Sequence, residues 1–271
     1  MSAPRVWPVL VAYLLAFVSI VSFSLVAAVM LRAAFPELSE REVFDGLPGI
    51  LASAIASSAA LLVTLLIVAR PVDPVRLRLH PGRETGAQLG AMIVGTLALG
   101  QVLDSATVLT GLANRGAMVV IRRAIEGATG PDLFAAVVVI GVLAGSAEEV
   151  FFRGYMQTRL RERFAPAVAI AVTSAAFALL HLEWIHAGMA LALGLWLGFV
   201  AERAGSALPA VAAHVINNAL FTLLTALFGT LEDRALNVAL LAGAAAIFFA
   251  CAFSVWRLSV PPPSMRDPGE A

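Results

Sequence analysis

Apolar residues run along most of this chain for about twenty positions at a time, broken by short clusters of arginine, acids, proline and glycine. A helix rises about 1.5 Å per residue, so roughly 20 such residues cross the apolar part of a bilayer. A soluble helix would keep one polar face, and these runs have none. The pattern predicts spans at about 7–31, 47–69, 87–112, 132–158, 166–182, 186–202, 207–229 and 236–258. The fifth and sixth are short. The predicted fold class is therefore all-α, a polytopic membrane helix bundle of about eight transmembrane helices. The first stretch, Val6 to Leu31, carries no charge and exceeds the roughly 7–15 apolar residues of a cleavable signal. It is read as a span. No shift in composition marks a second domain, so 1–260 reads as one transmembrane unit and the proline-rich 261–271 as a disordered tail.

Composition agrees with lipid as the main partner. The 271 residues are 60% hydrophobic and 13% charged, against about 45–50% and about 25% in soluble domains. Net charge is zero, which gives no case for nucleic acid. All 18 basic side chains are arginine, read as the coding bias of a GC-rich bacterial source rather than as function. The single Cys251 excludes an internal disulfide.

Arginine placement predicts orientation. Arg5, the four arginines from Arg70 to Arg83, the run Arg159-Leu-Arg161-Glu-Arg163, and Arg257 with Arg266 fall on one side by alternation. The loops Arg32 to Asp45 and Leu231 to Arg234, on the other side, are acidic. Both termini are expected in the cytoplasm of a bacterial inner (plasma) membrane. Arg115, Arg122 and Arg123 dissent. Their segment, Asn114 to Gly130, is amphipathic and is expected to lie along an interface.

Few strongly polar residues remain inside the spans: Gln101, Asp104, Glu148, Glu149, Arg153, His181, Glu183, His186, His214, Asn217 and Asn218. Ionisable groups in lipid are costly and mark function by default. Glu149 and Arg153 are four apart, share a helix face and can pair. Glu148 lies about 100° round the helix and points elsewhere. One glutamate can be neutralised while the other faces a cavity, as a general base requires. A second span offers His181 four residues after Phe177, and a third offers His214 with Asn218. A carboxylate and an imidazole can orient and deprotonate a water, and a second imidazole with an amide can donate to a developing oxyanion. No serine or cysteine nucleophile pairs with a base, and no His-Glu-x-x-His or Gly-x-Ser-x-Gly occurs. Taken singly, the Glu149–Arg153 pair also reads as a structural ion pair, and His214 with Asn218 as helix–helix glue.

Glu148-Glu149-x-x-x-Arg153, Phe177-x-x-x-His181 and His214-x-x-x-Asn218 together resemble the three-motif signature of the CAAX-prenyl-protease and bacteriocin-processing (CPBP, also ABI) family of intramembrane glutamate endopeptidases. The resemblance covers about residues 140–220. It implies that Glu148 is the base that activates water, that His181 helps hold that water, and that His214 and Asn218 form the oxyanion hole. Glu149, Arg153 and Phe177 would support the site. It also implies a bundle of about eight helices, no cofactor and no metal, and as partner a membrane-embedded or lipid-anchored protein or peptide substrate. Glu183 and His186 fall outside the motifs.

Span counting sets a condition on this reading. Glu148 lies about 15 Å and His214 about 10 Å from the cytoplasmic ends of their spans, but His181 about 22 Å. Convergence requires a tilted, short or broken fifth helix, or a shift of the span limits. Two other classes remain open. Glu148, His181 and His214 could hold a zinc ion in a metalloprotease. The chain could also be a non-enzymatic immunity or transport protein, with its buried charges lining an ion path.

Overall fold

A computed structural model describes residues 6–257, so Arg5, Arg266 and the proline-rich tail lie outside the described residues. The described residues are helical, with no strand among them. The main helices are α1 (Trp7–Ala34), α3 (Leu47–Val68), α4 (Gly86–Leu109), α6 (Gly130–Arg161), α8 (Trp184–Ala204), α9 (Leu208–Phe228) and α10 (Arg234–Trp256). Each is long and apolar enough to cross a membrane, seven in all. Three shorter helices complete the set: α2 (Glu40–Phe44), α5 (Gly116–Ile125) and α7 (Pro166–Leu179). The protein is an integral membrane protein, and the eight apolar helices correspond in order to the eight predicted spans.

The fifth of these differs from its expectation. Only 14 residues of α7 are helical, about 21 Å. The chain then turns through 180–183, with Leu182 at φ 58°. Its start is set by Pro166 in the first turn, and α1, α3, α6 and α9 likewise carry a proline in their first turn. There the missing N–H has no intrahelical partner to lose. Capping side chains begin others: Thr85 with Gln88 boxes the start of α4, and Asp233 caps α10. Gly205, at φ 70°, ends α8 in the left-handed conformation that costs glycine little.

Two apolar cores hold the bundle. One joins α1, α3, α6 and α7 through Ala12, Ala16, Leu61, Phe151, Phe152 and Phe177. The other joins α4, α8, α9 and α10 through Met92, Trp196, Leu197, Val200, Ala210 and Val255. Small residues let backbones approach closely where lipid supplies no hydrophobic drive between helices. Outward faces carry exposed Leu14, Val29, Phe249 and Phe253, which suits hydrocarbon and not water. The arginine-rich ends gather together. Ala207 donates to the Arg78 carbonyl, Arg83 donates to the Ala204 carbonyl, and Arg161 pairs with Glu202.

The amphipathic segment forms α5, flanked by glycines at positive φ, Gly116 and Gly127. Arg122 is ion-paired to Asp104 of α4, so Asp104 serves to fasten α5. The Glu183 carboxylate lies against Gly116 at the other end of α5. Arg122→Leu is expected to raise hydrogen exchange over 116–125 several-fold, since a partly exposed pair contributes up to about 1 kcal/mol. Exchange in the seven spans should stay unchanged. Unaltered exchange in α5 would show that the Glu183 contact alone fastens it.

Candidate active site

Helix α6 carries the glutamates in an unusual setting. It is π-helical over Val137–Ala144 and again over Val150–Gln157, with one α-helical turn, Gly145–Glu149, between. Turns of this kind bond i to i+5 and often mark functional sites. The sequence reading assumed an ideal α-helix throughout, and its 100° spacing holds only over the short central turn. The first π segment and the α-helical turn sit hard against α9. A Cβ on Gly141 would lie 2.9 Å from Ala219 Cβ, and one on Gly145 would lie 3.4 Å from Val215 Cα. Thr158 Oγ1 donates to the Arg153 carbonyl at 3.2 Å, satisfying a group in the second π segment.

The expected pair forms nonetheless. Arg153 Nη1 donates to Glu149 Oε1 at 2.6 Å, and both side chains are fully buried. Arg153 Nη2 donates to the Gly194 carbonyl of α8 at 3.0 Å. The guanidinium lies 4.9 Å from the centroid of the Phe177 ring, so Phe177 acts as a floor for the charge. Glycine at 194 suits this close packing, because a Cβ there would stand 3.2 Å from Arg153 Nη2 and from Ser174 Cβ and would have to displace them slightly. Gly194-x-x-x-Gly198 is thus packed inside the bundle, where small residues let the helices approach closely.

The two glutamates do not go separate ways. Both address His214 of α9. Its Nδ1 donates to Glu149 Oε1 at 2.8 Å, and its Nε2 faces Glu148 Oε2 at 3.9 Å. The first is a hydrogen bond; the second exceeds hydrogen-bond distance. Glu149 is fully buried, whereas the Glu148 side chain keeps 23% of its exposure. One carboxylate is sealed between arginine and imidazole, and the other is reachable. Sequence spacing could place Glu149 on Arg153, but no local signal announced its bond to His214, 65 residues away.

His181 reaches the cluster because α7 is short. It sits in the turn after α7, with its ring 4.8 Å from Phe177, which in turn lies 6.1 Å from His214. Nδ1 of His181 is 3.0 Å from the Phe177 carbonyl, which orients the ring and leaves Nε2 as its second polar edge. Asn218 lies one turn beyond His214 on α9 and addresses Ile140 of α6 through an Nδ2–carbonyl contact of 3.5 Å. Asn217 Nδ2 donates to Asn218 Oδ1 at 3.2 Å, which fixes the direction of the Asn218 amide. The structure therefore joins Glu148, Glu149, Arg153, Phe177, His181 and His214 through one chain of contacts. It sets Asn218 beside them on the same pair of helices.

Two residues without a motif role acquire one. Glu183 caps α8, accepting from the Ile185 and His186 N–H groups at 2.9 and 3.0 Å. Those bonds hold its carboxyl below the usual carboxylate range. His186 sets its ring 4.3 Å from that of His181 and so helps position it. An acid just before an apolar helix is a readable cap signal, but the ring contact was not readable.

Among the described residues no group of three or more His, Cys, Asp and Glu is arranged to hold a metal ion. Residues 130–220 match the family model described as Rce1-like, type II CAAX prenyl endopeptidase. Over this stretch the chain is similar to the Rce1-like family. The matched stretch contains all three motifs and every site residue from Glu148 to Asn218. No curated protein and no solved structure matches the chain. The matched stretch takes in helices α6 to α8 and most of α9, with α1, α3, α4 and α10 packed around them. A core of this family inside a bundle of apolar spans supports a CAAX-type intramembrane protease.

Proposed function

We propose that the protein is a glutamate-type intramembrane endopeptidase acting on a lipidated, membrane-tethered substrate. The observation that carries this reading is His214 held between the sealed Glu149 and the reachable Glu148. Glu148 takes a proton from a water held between it and His181 as that water adds to the substrate carbonyl. The developing oxyanion is met by His214 and the Asn218 amide. Because Nδ1 already donates to Glu149, donation from Nε2 as well requires the doubly protonated ring, and Glu149 is its counter-charge. Two carboxylates, one guanidinium and one imidazolium then sum to zero charge in an apolar interior. The proton that Glu148 took from the water passes to the leaving amine as the tetrahedral intermediate collapses, which returns Glu148 to its carboxylate.

The gathering of Arg70, Arg76, Arg78, Arg83, Arg159, Arg161, Arg203 and Arg257 at one end of the bundle supports both termini in the cytoplasm of a bacterial inner membrane. The test is reconstitution into liposomes with a prenylated CAAX-type peptide, products being read by mass spectrometry. Cleavage that persists in strong chelator is expected. Stoichiometric zinc with chelator-sensitive cleavage would replace this mechanism by a metalloprotease built on the same histidines.

A further inference from the structure

Arg153, Gln157 and Arg161 follow one another at four-residue spacing along α6. Each reaches α8: Arg153 Nη2 donates to the Gly194 carbonyl at 3.0 Å, and Gln157 Nε2 donates to the Gly198 carbonyl at 2.9 Å. Arg161 Nε donates to Glu202 Oε1 at 2.8 Å. All three contacts join residues separated by 41 positions. A constant separation means that the two helices run parallel and in register, with each rung one turn beyond the last. Both inner rungs end on glycine. A Cβ on Gly198 would come within 3.0 Å of Gln157 Oε1 and 2.9 Å of Ile170 Cγ2, so this close approach needs glycine. The outermost rung is tied further, since Arg78 Nη1 lies 3.6 Å from Glu202 Oε2.

Arg153 is the link between this ladder and the site, because the same guanidinium holds Glu149. Where Gly194 stands along α6 decides where that guanidinium stands, and the neighbouring rung at Gln157 fixes Gly194. Gln157 is fully buried and touches none of the motif residues through a hydrogen bond of its own. A buried amide is costly unless it is satisfied, so its presence on an apolar helix face calls for a reason. We propose that Gln157 is a positioning residue: its bond to Gly198 sets the register of α8 on α6, and through Arg153 and Glu149 the orientation of His214. The inference rests on the proteolytic reading only for its kinetic consequence.

The experiment uses the full chain in lipid nanodiscs, with 15N-labelled histidine and Gln157→Met, a variant of similar volume lacking the donor. In the wild type the Nδ1 proton of His214 should show the shift of a strong hydrogen bond to a carboxylate, its signal being assigned by loss in His214→Gln. Gln157→Met is expected to weaken that signature. It should also lower kcat on the prenylated peptide about tenfold with KM little changed, as for the loss of one buried hydrogen bond expressed in the transition state. Gln157→Asn keeps the amide but is one methylene too short, and should act the same way if the Met variant does not fold. An unchanged His214 signature in a folded Gln157 variant overturns the proposal, whatever the kinetics. A shifted signature in the variant, with no cleavage by the wild type either, upholds the ladder and removes the proteolytic reading instead.

Discussion

Glu148→Gln is expected to cut peptide cleavage by about 10²- to 10⁴-fold, the usual worth of a general base, while the protein folds and unfolds much as the wild type does. The second half of this expectation comes from geometry. Glu148 is the reachable carboxylate, with His214 Nε2 at 3.9 Å as its ionic neighbour, too far for a direct bond. Glutamine keeps the shape and removes the proton-accepting carboxylate with its charge, which is partly exposed and makes no direct bond to His214. The measurements are turnover of the prenylated peptide in proteoliposomes and thermal unfolding of the same preparation. Cleavage retained at near wild-type rate would rule out Glu148 as the base and direct attention to His214. A large fall in thermal stability would show that Glu148 is a structural ion-pair partner.

Arg153→Met should behave in the opposite way, with stability failing first. Arg153 and Glu149 are both completely buried, and their 2.6 Å contact is what neutralises the carboxylate. Removing one member of such a pair strands a charge and costs about 3–5 kcal/mol. The double change Glu149→Gln with Arg153→Met takes away the stranded charge and should recover a good part of that loss. It should not recover activity, because the carboxylate on His214 Nδ1 is gone as well. Denaturant unfolding in mixed micelles, run as a double-mutant cycle, separates the two effects. Equal destabilisation in the single and double variants would mean that the arginine is needed for its contacts with Gly194 and Phe177 rather than for its charge.

Much of this protein could be read from the order of its residues. Spans are legible because a bilayer demands about twenty apolar residues whatever the neighbours are. Seven were placed to within a few residues; of the two read as short, the fifth is, at 14 residues, and the sixth is not, at 21. The Glu149–Arg153 pair was legible because it lies within a single helix, where spacing fixes geometry. The candidate set itself, from Glu148 to Asn218, stood out because strongly polar groups are rare in apolar spans and each requires a reason.

Other features depended on contacts between distant segments. The first π segment of α6 packs closely on α9 and the second on α7 and α8, and no periodicity in the apolar run announces either. The bond between Glu149 and His214 joins two helices whose rotation about their own axes is set by packing, so a helical wheel for one could not see the other. The depth of His181 looked wrong by sequence counting and became right only because α7 ends early and turns back inside the bundle. The register of α6 on α8 is a property of two surfaces together, visible in neither sequence alone. That the chain lives in a membrane, and which few polar groups lie in its apolar spans, follows from the order of residues, because the cost of burial is local to each of them. Which of the two glutamates is sealed and which is reachable follows from the packing of the helices, because exposure belongs to the bundle and not to the residue.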